Sequence, residues 1–199
     1  MSTFRQRLSD LARTTSVLAW VGFAVTVAFL GLAGFMVAGY TLTDPGGWTG
    51  LGLTALWVVP TLALAALSFY RPDTAVPVLA VASLVPLGFG VWTLVDYDGA
   101  RGWEDQHGPV SLVFVLVVGL SLAVEGLSRP TPAGVMMLGI TVVPLVLSMV
   151  GAGSDWGQAL SIGLLAAPVV AGGVLYVLAG RSRTDSGADT GPPSLLTGR

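Results

Sequence analysis

Cysteine and lysine are both missing from the 199 residues, and histidine occurs once. Without cysteine there is no disulfide framework, no thiolate metal site and no thiol nucleophile. Without lysine there is no P-loop lysine, and no H-E-x-x-H helix exists either. The single His107 would have to serve any serine triad, and no G-x-S-x-G elbow surrounds a serine. Charge is scarce as well: Asp, Glu and Arg make up 10% of the chain, where a soluble domain carries roughly a quarter. So thin a supply of cations argues against nucleic-acid binding, and no cofactor motif is present. What abounds is apolar, at 53% hydrophobic residues and a mean hydropathy of +0.80. This composition describes a membrane protein.

A hydrocarbon core of about 30 Å takes about 20 apolar residues per helix. Six stretches meet that demand: Ser16–Tyr40, Gly50–Tyr70, Thr74–Val95, Pro109–Leu127, Ala133–Val150 and Ala159–Gly180. Runs such as Val110–Val124 lack the alternation of membrane strands, so helices are implied. The expected fold is an all-α, polytopic transmembrane bundle of six helices spanning residues 16–180.

Arginine sets the expected orientation, because positively charged flanks stay on the cytoplasmic side. Alternate connections hold Arg5, Arg7, Arg13, Arg71, Arg129, Arg181, Arg183 and Arg199 on one face, and only Arg101 on the other. That second face carries Asp44, Asp96, Asp98, Glu104, Asp105 and Asp155, six acids against one Arg. Both termini are therefore expected in the cytoplasm, with Arg13, Arg71, Arg129 and Arg181 as anchors at the headgroups. Absence of lysine beside abundant Ala, Val, Leu and Gly suggests an Arg-preferring, prokaryotic genome, hence a plasma membrane.

The first apolar stretch exceeds a secretory h-region and reads as a retained anchor. Ahead of it, Phe4, Leu8 and Leu11 recur at helical spacing between Arg5 and Arg7, which suits an amphipathic segment over residues 1–15 on the cytoplasmic headgroups. Residues 181–199, rich in Gly, Ser, Thr, Pro and Asp, are expected to form a disordered tail.

A spacing of 58 residues relates Arg71-Pro72 to Arg129-Pro130, and Ser83-Leu84-Val85-Pro86-Leu87 to Thr141-Val142-Val143-Pro144-Leu145. Arg13 lies one more period upstream, and Trp48, Trp103 and Trp156 each follow or precede Gly or an acid. Three tandem helical hairpins in parallel repeat would produce this pattern. Bilayer thickness and the interfacial preference of Trp and Arg would produce much of it too.

Within the spans, Pro60, Pro86, Pro144 and Pro168 each remove a backbone donor and should kink their helices. Ser83 and Thr141 stand three residues ahead of two of them, where a hydroxyl can bond locally or to a neighbour. Ala159, Gly163, Ala167 and Ala171 recur every fourth residue, a stripe expected to pack against another helix of the chain. Glu125 is the one ionisable residue inside a span, near its end, with Arg129 at i+4 to pair with it.

The longest connection on the acidic face, residues 96–108, gathers Asp96, Asp98, Glu104, Asp105 and His107. Oxygen and imidazole donors suit a divalent cation. The spacing does not follow a calcium helix-loop-helix, since the positions that need an acid, Gly and Glu hold Ala100, Arg101 and His107. A hydrated acidic loop is the plainer reading, and no metal is expected.

These features point to a non-catalytic membrane protein, an accessory or assembly subunit whose partners are the lipid bilayer and a membrane protein or a second copy of itself. The alternative is a small transporter or channel, its path lined by Thr61, Ser83, Ser121, Thr141, Ser148 and Ser161 between proline-kinked helices. Convergence of those hydroxyls on one polar cavity is the structural feature that separates the two.

Overall fold

A computed structural model describes residue 6, residues 15–151 and the backbone of 156–188, with side chains from 166 to 182 in the last stretch. The described residues are helical almost throughout. The elements are α1 (Val17–Thr41), a π-helical segment (Leu42–Gly46), α2 (Gly47–Tyr70), α3 (Pro72–Ala82), α4 (Leu84–Val95), α5 (Tyr97–His107), α6 (Val110–Ser128), α7 (Pro130–Gly151) and α8 (Trp156–Ala188).

Five segments are long and apolar enough to cross a membrane: Val17–Asp44, Gly47–Tyr70, Pro72–Val95, Val110–Ser128 and Pro130–Gly151. They match the first five stretches expected from hydropathy to within a few residues. The sixth lies inside α8, whose described apolar part is the shorter Ala166–Ser182. Large apolar side chains face outward all round, Phe35 being 76% and Leu56 73% exposed. In water such a surface would aggregate, whereas in lipid it is the natural exterior, with backbone donors satisfied inside each helix.

Helix α6 runs through the middle, packing against α1, α2, α3 and α7, while α8 closes the bundle against α7 and α1. The core is built from Leu30, Leu116, Leu122, Met137, Ile140 and Tyr176, all essentially inaccessible. Association without water exclusion depends on close backbone approach. Gly134 provides it at the α7–α8 seam, where a Cβ would come within 2.6 Å of the Gly173 carbonyl oxygen.

The small-residue contacts of α8 fall elsewhere than the expected stripe. Ala167 and Ala171 are exposed, while Gly172, Gly173, Ala179 and Gly180 are buried; the side chains of Ala159 and Gly163 lie outside the described residues. A four-residue period drifts by about 40° per step around a helix of 3.6 residues per turn, so equal spacing of small residues does not keep them on one packed face.

The chain turns sharply where arginine precedes proline. Only Arg71 separates α2 from α3, and only Arg129 separates α6 from α7. Proline disfavours the helical region for the residue before it, and the two arginines leave that region with nearly the same backbone angles, φ −139°, ψ 69° and φ −129°, ψ 73°. Arg71 N–H donates to Leu67 O at 2.7 Å and Arg129 N–H to Glu125 O at 2.8 Å, positions again 58 residues apart. The tryptophans of the opposite end do not correspond: Trp48 is 88% exposed at the start of α2, whereas Trp103 packs against other rings. The end bearing Arg71 and Arg129 is called the arginine end below, and the end bearing α5 the acidic end.

Of the four expected kinks, the one associated with Pro86 interrupts its helix: the span from Pro72 to Val95 breaks at Ser83. Pro60, Pro144 and Pro168 are carried inside continuous helices. Past Gly180 the helix continues to Ala188, so residues 181–188 are helical and not part of a structureless tail. Extending an existing helix needs no new nucleus, and no proline intervenes before residue 192. Phe4, Leu8, Leu11 and Arg13, like residues 189–199, lie outside the described residues.

Candidate functional site

The connection at residues 96–108 is a helix, α5, and this is the main departure from the sequence reading. Asp96 caps it, its Oδ1 accepting from Gly99 N–H at 3.0 Å, and Gly108 ends it at φ 85°. Asp98 in the first turn and His107 in the last suit the helix dipole. Tyr97, Ala100, Trp103 and Glu104 turn toward the bundle, while Asp98, Asp105 and Gln106 are exposed. The pattern was present as a capping Asp and an i, i+3, i+7 stripe, masked by low hydropathy and two glycines.

Trp103 is the hub that fixes α5. Its ring lies 5.7 Å from Trp92 and 6.3 Å from Phe89, and it stacks at 4.8 Å on His107. Phe89 in turn meets Phe114 at 6.2 Å. Edge and offset contacts of this kind contribute about 0.5–1.5 kcal/mol each beyond burial.

The five residues considered for a cation are spent separately. Asp96 caps α5, Glu104 Oε1 accepts from Ser111 N–H at 2.9 Å and so caps α6, and His107 Nδ1 lies 2.9 Å from Trp103 O. Asp98 and Asp105 project into solvent. Among the described residues no three His, Asp or Glu side chains gather to hold a metal ion.

The hydroxyls also disperse. Thr61, Ser83, Ser121 and Thr141 each donate to the carbonyl four residues back, at 2.7–2.8 Å. Ser148 pairs with Thr93 at 3.2 Å, and the side chain of Ser161 lies outside the described residues. The carbonyls left without a donor by Pro86 and Pro144 are those of Ala82 and Ile140, so the Ser83 and Thr141 hydroxyls, bound to Leu79 and Met137, do not serve them. Among the described residues, Thr141 and Ser148 line one cavity, while Thr61, Ser83 and Ser121 lie outside it.

Two cavities hollow the acidic half, one on each side of α6. The first, about 420 Å³, lies among α1, α4, α6, α7 and α8 beneath α5. The second, about 720 Å³, lies among α1, α2, α3, α4 and α6, with Asp105, Gln106 and His107 of α5 at its rim; it is bordered by lipid-facing Leu53, Leu56 and Val85. Each contains a buried donor with no hydrogen-bond partner: the Tyr97 hydroxyl in the first and Trp57 Nε1 in the second.

At the arginine end Glu125 is 1% exposed. The expected pairing with Arg129 is not made; Arg129 instead forms an ion pair with Asp73 across the corner. The Ser68 hydroxyl lies beside the Glu125 carboxyl, yet neither group reaches hydrogen-bond geometry with any partner. Sequence reasoning placed Glu125 at the headgroups because it stands near the helix end. It missed that α2 and α6 pack together right up to that end.

Compared with protein-family models, curated proteins and solved structures, the chain matches none.

Proposed function

We propose that this multi-pass membrane protein is a non-catalytic accessory or assembly subunit of a membrane or envelope complex, and that α5 is the element it presents to partners. The observation carrying this reading is the construction of α5: one face is held to the bundle by the Trp103 ring cluster, and the other offers Asp98 and Asp105 to solvent. A short polar helix fixed at a membrane surface is pre-organised for recognition, and its charge favours a basic partner surface. In this reading the chain crosses a prokaryotic plasma membrane six times, the arginine end is cytoplasmic by the positive-inside rule, and the matching Arg-Pro corners descend from a duplicated hairpin. Transport of a polar solute has less support, since four of the six hydroxyls that would line its path are turned back on their own helices.

A photo-crosslinking residue introduced at Asp105 in native membranes tests the reading. Discrete protein adducts that disappear when Asp98→Lys is added are expected. Adducts to lipid alone, or protein adducts indifferent to the charge reversal, would overturn it.

A further inference from the structure

The first cavity is graded from polar to apolar along the membrane normal. Its mouth, under α5, is lined by Tyr97, Arg101, Glu104 and Ser111. Just below lie Thr93 and Ser148, bonded to one another. Its floor is hydrocarbon, formed by Leu30, Leu112, Val115, Ile140 and Val169. From Ser148 down to Ile140 along α7 is about 12 Å at about 1.5 Å per residue, which brings the floor close to the bilayer midplane.

The bonding pattern narrows what can occupy this space. The Thr93 hydroxyl is committed to Gly90 O and Ser148, that of Thr141 to Met137 O, and Glu104 to the start of α6. Little hydrogen-bonding capacity remains along the wall to hold a water file or a polar solute, and an empty space of this size would forfeit the dispersion contacts of its lining. The buried Tyr97 hydroxyl at the mouth still lacks an acceptor. An occupant must therefore be a hydrocarbon chain with an oxygen acceptor at its upper end. The mouth holds one base and one acid, with Asp96, Asp98 and Asp105 nearby, which disfavours a net anionic headgroup and matches a zwitterionic one.

We propose that the cavity beneath α5 binds one acyl chain of a zwitterionic phospholipid from the leaflet at the acidic end, with an ester or phosphate oxygen of that lipid accepting from Tyr97. The second cavity differs in being bordered by residues that already face the bilayer, so lipid there would exchange as bulk lipid does. The first is bordered by half-buried Phe29, Leu112, Val115 and Leu145, with inaccessible Leu30, Ile140 and Val169 packed behind them, so a lipid there contacts the bundle rather than residues that face the bilayer. This proposal does not depend on α5 having a protein partner.

The test reconstitutes the full chain in phosphatidylcholine nanodiscs doped with a phosphatidylcholine that carries a diazirine midway along one chain. After photolysis the adducts are mapped by peptide mass spectrometry. Adducts on Phe29, Leu112 or Val115 are expected. Val115→Trp, which fills the floor, should reduce them at least about tenfold, and Tyr97→Phe, which removes one hydrogen bond without changing shape, by up to about tenfold. Adducts confined to outward-facing Val91, Leu94 and Val143, or cavity adducts unchanged by Val115→Trp, would overturn the proposal. Should Val115→Trp fail to fold, Leu112→Phe supplies the same reading, and the map on the unsubstituted chain decides by itself.

Discussion

The two halves of α6 share one helix and face opposite architectures. From Leu116 toward Leu127 nearly every second residue or better is buried, and Gly119 and Gly126 sit directly against the Leu30 and Tyr176 side chains. From Val110 to Val115 every residue is only half-buried, and a cavity opens on either side. The same apolar composition thus yields a close-packed half and a hollow half. Glycine permits close approach in both halves, Gly126 and Gly134 in one and Gly50, Gly90 and Gly151 in the other, so the difference lies in the single-residue Arg71 and Arg129 turns, which draw the arginine end together. At the acidic end Phe89, Trp92, Trp103 and Phe114 hold the helices apart by the width of their rings.

The sharpest way to break this comparison is to add atoms to each half. Gly134→Ala puts a methyl against a backbone oxygen that cannot turn aside, and a loss of about 1–3 kcal/mol is expected from overpacking. Val115→Phe adds a larger group beside the first cavity and should change stability by less than about 0.5 kcal/mol. Thermal unfolding in detergent micelles checks both, and equal losses would show that the halves are packed alike.

Glu125 is the exception within the dense half, a buried carboxyl without a hydrogen-bond partner. Replacing an unsupported buried polar group by an apolar one of similar size is commonly neutral or stabilising, so Glu125→Leu is expected to raise stability by about 1 kcal/mol. Denaturant titration in micelles measures it. A marked loss would mean that the carboxyl meets a partner when the chain is in lipid.

The smallest effect is expected at the surface of the same end. Arg129 and Asp73 are 41% and 84% exposed, and a pair so open to water contributes little. Asp73→Asn should cost less than about 0.5 kcal/mol, diminishing further in high salt.

Much of the fold was legible because lipid imposes a length on each helix: five spans begin and end within a few residues of the hydropathy limits. The Arg-Pro corners were legible as well, since proline biases the residue before it away from the helical region and an arginine marks the end of a span. Helix α5 was not, because hydropathy cannot detect a helix whose favourable terms are a cap, a dipole and one aromatic face. The exposure of Ala167 and Ala171 was hidden for a different reason. Spacing identifies residues that share a face but leaves open which neighbour, or which lipid, that face meets. The two cavities depend on ring orientation and helix separation, neither of which leaves a signature in one sequence.

The single-residue corners have a mechanical consequence. With one peptide of slack between α2 and α3, and again between α6 and α7, these pairs resemble pegs sprung at one end. Whatever breathing the bundle performs must spread its far tips, so a guest would enter and leave by the rim where α5 lies across the gap.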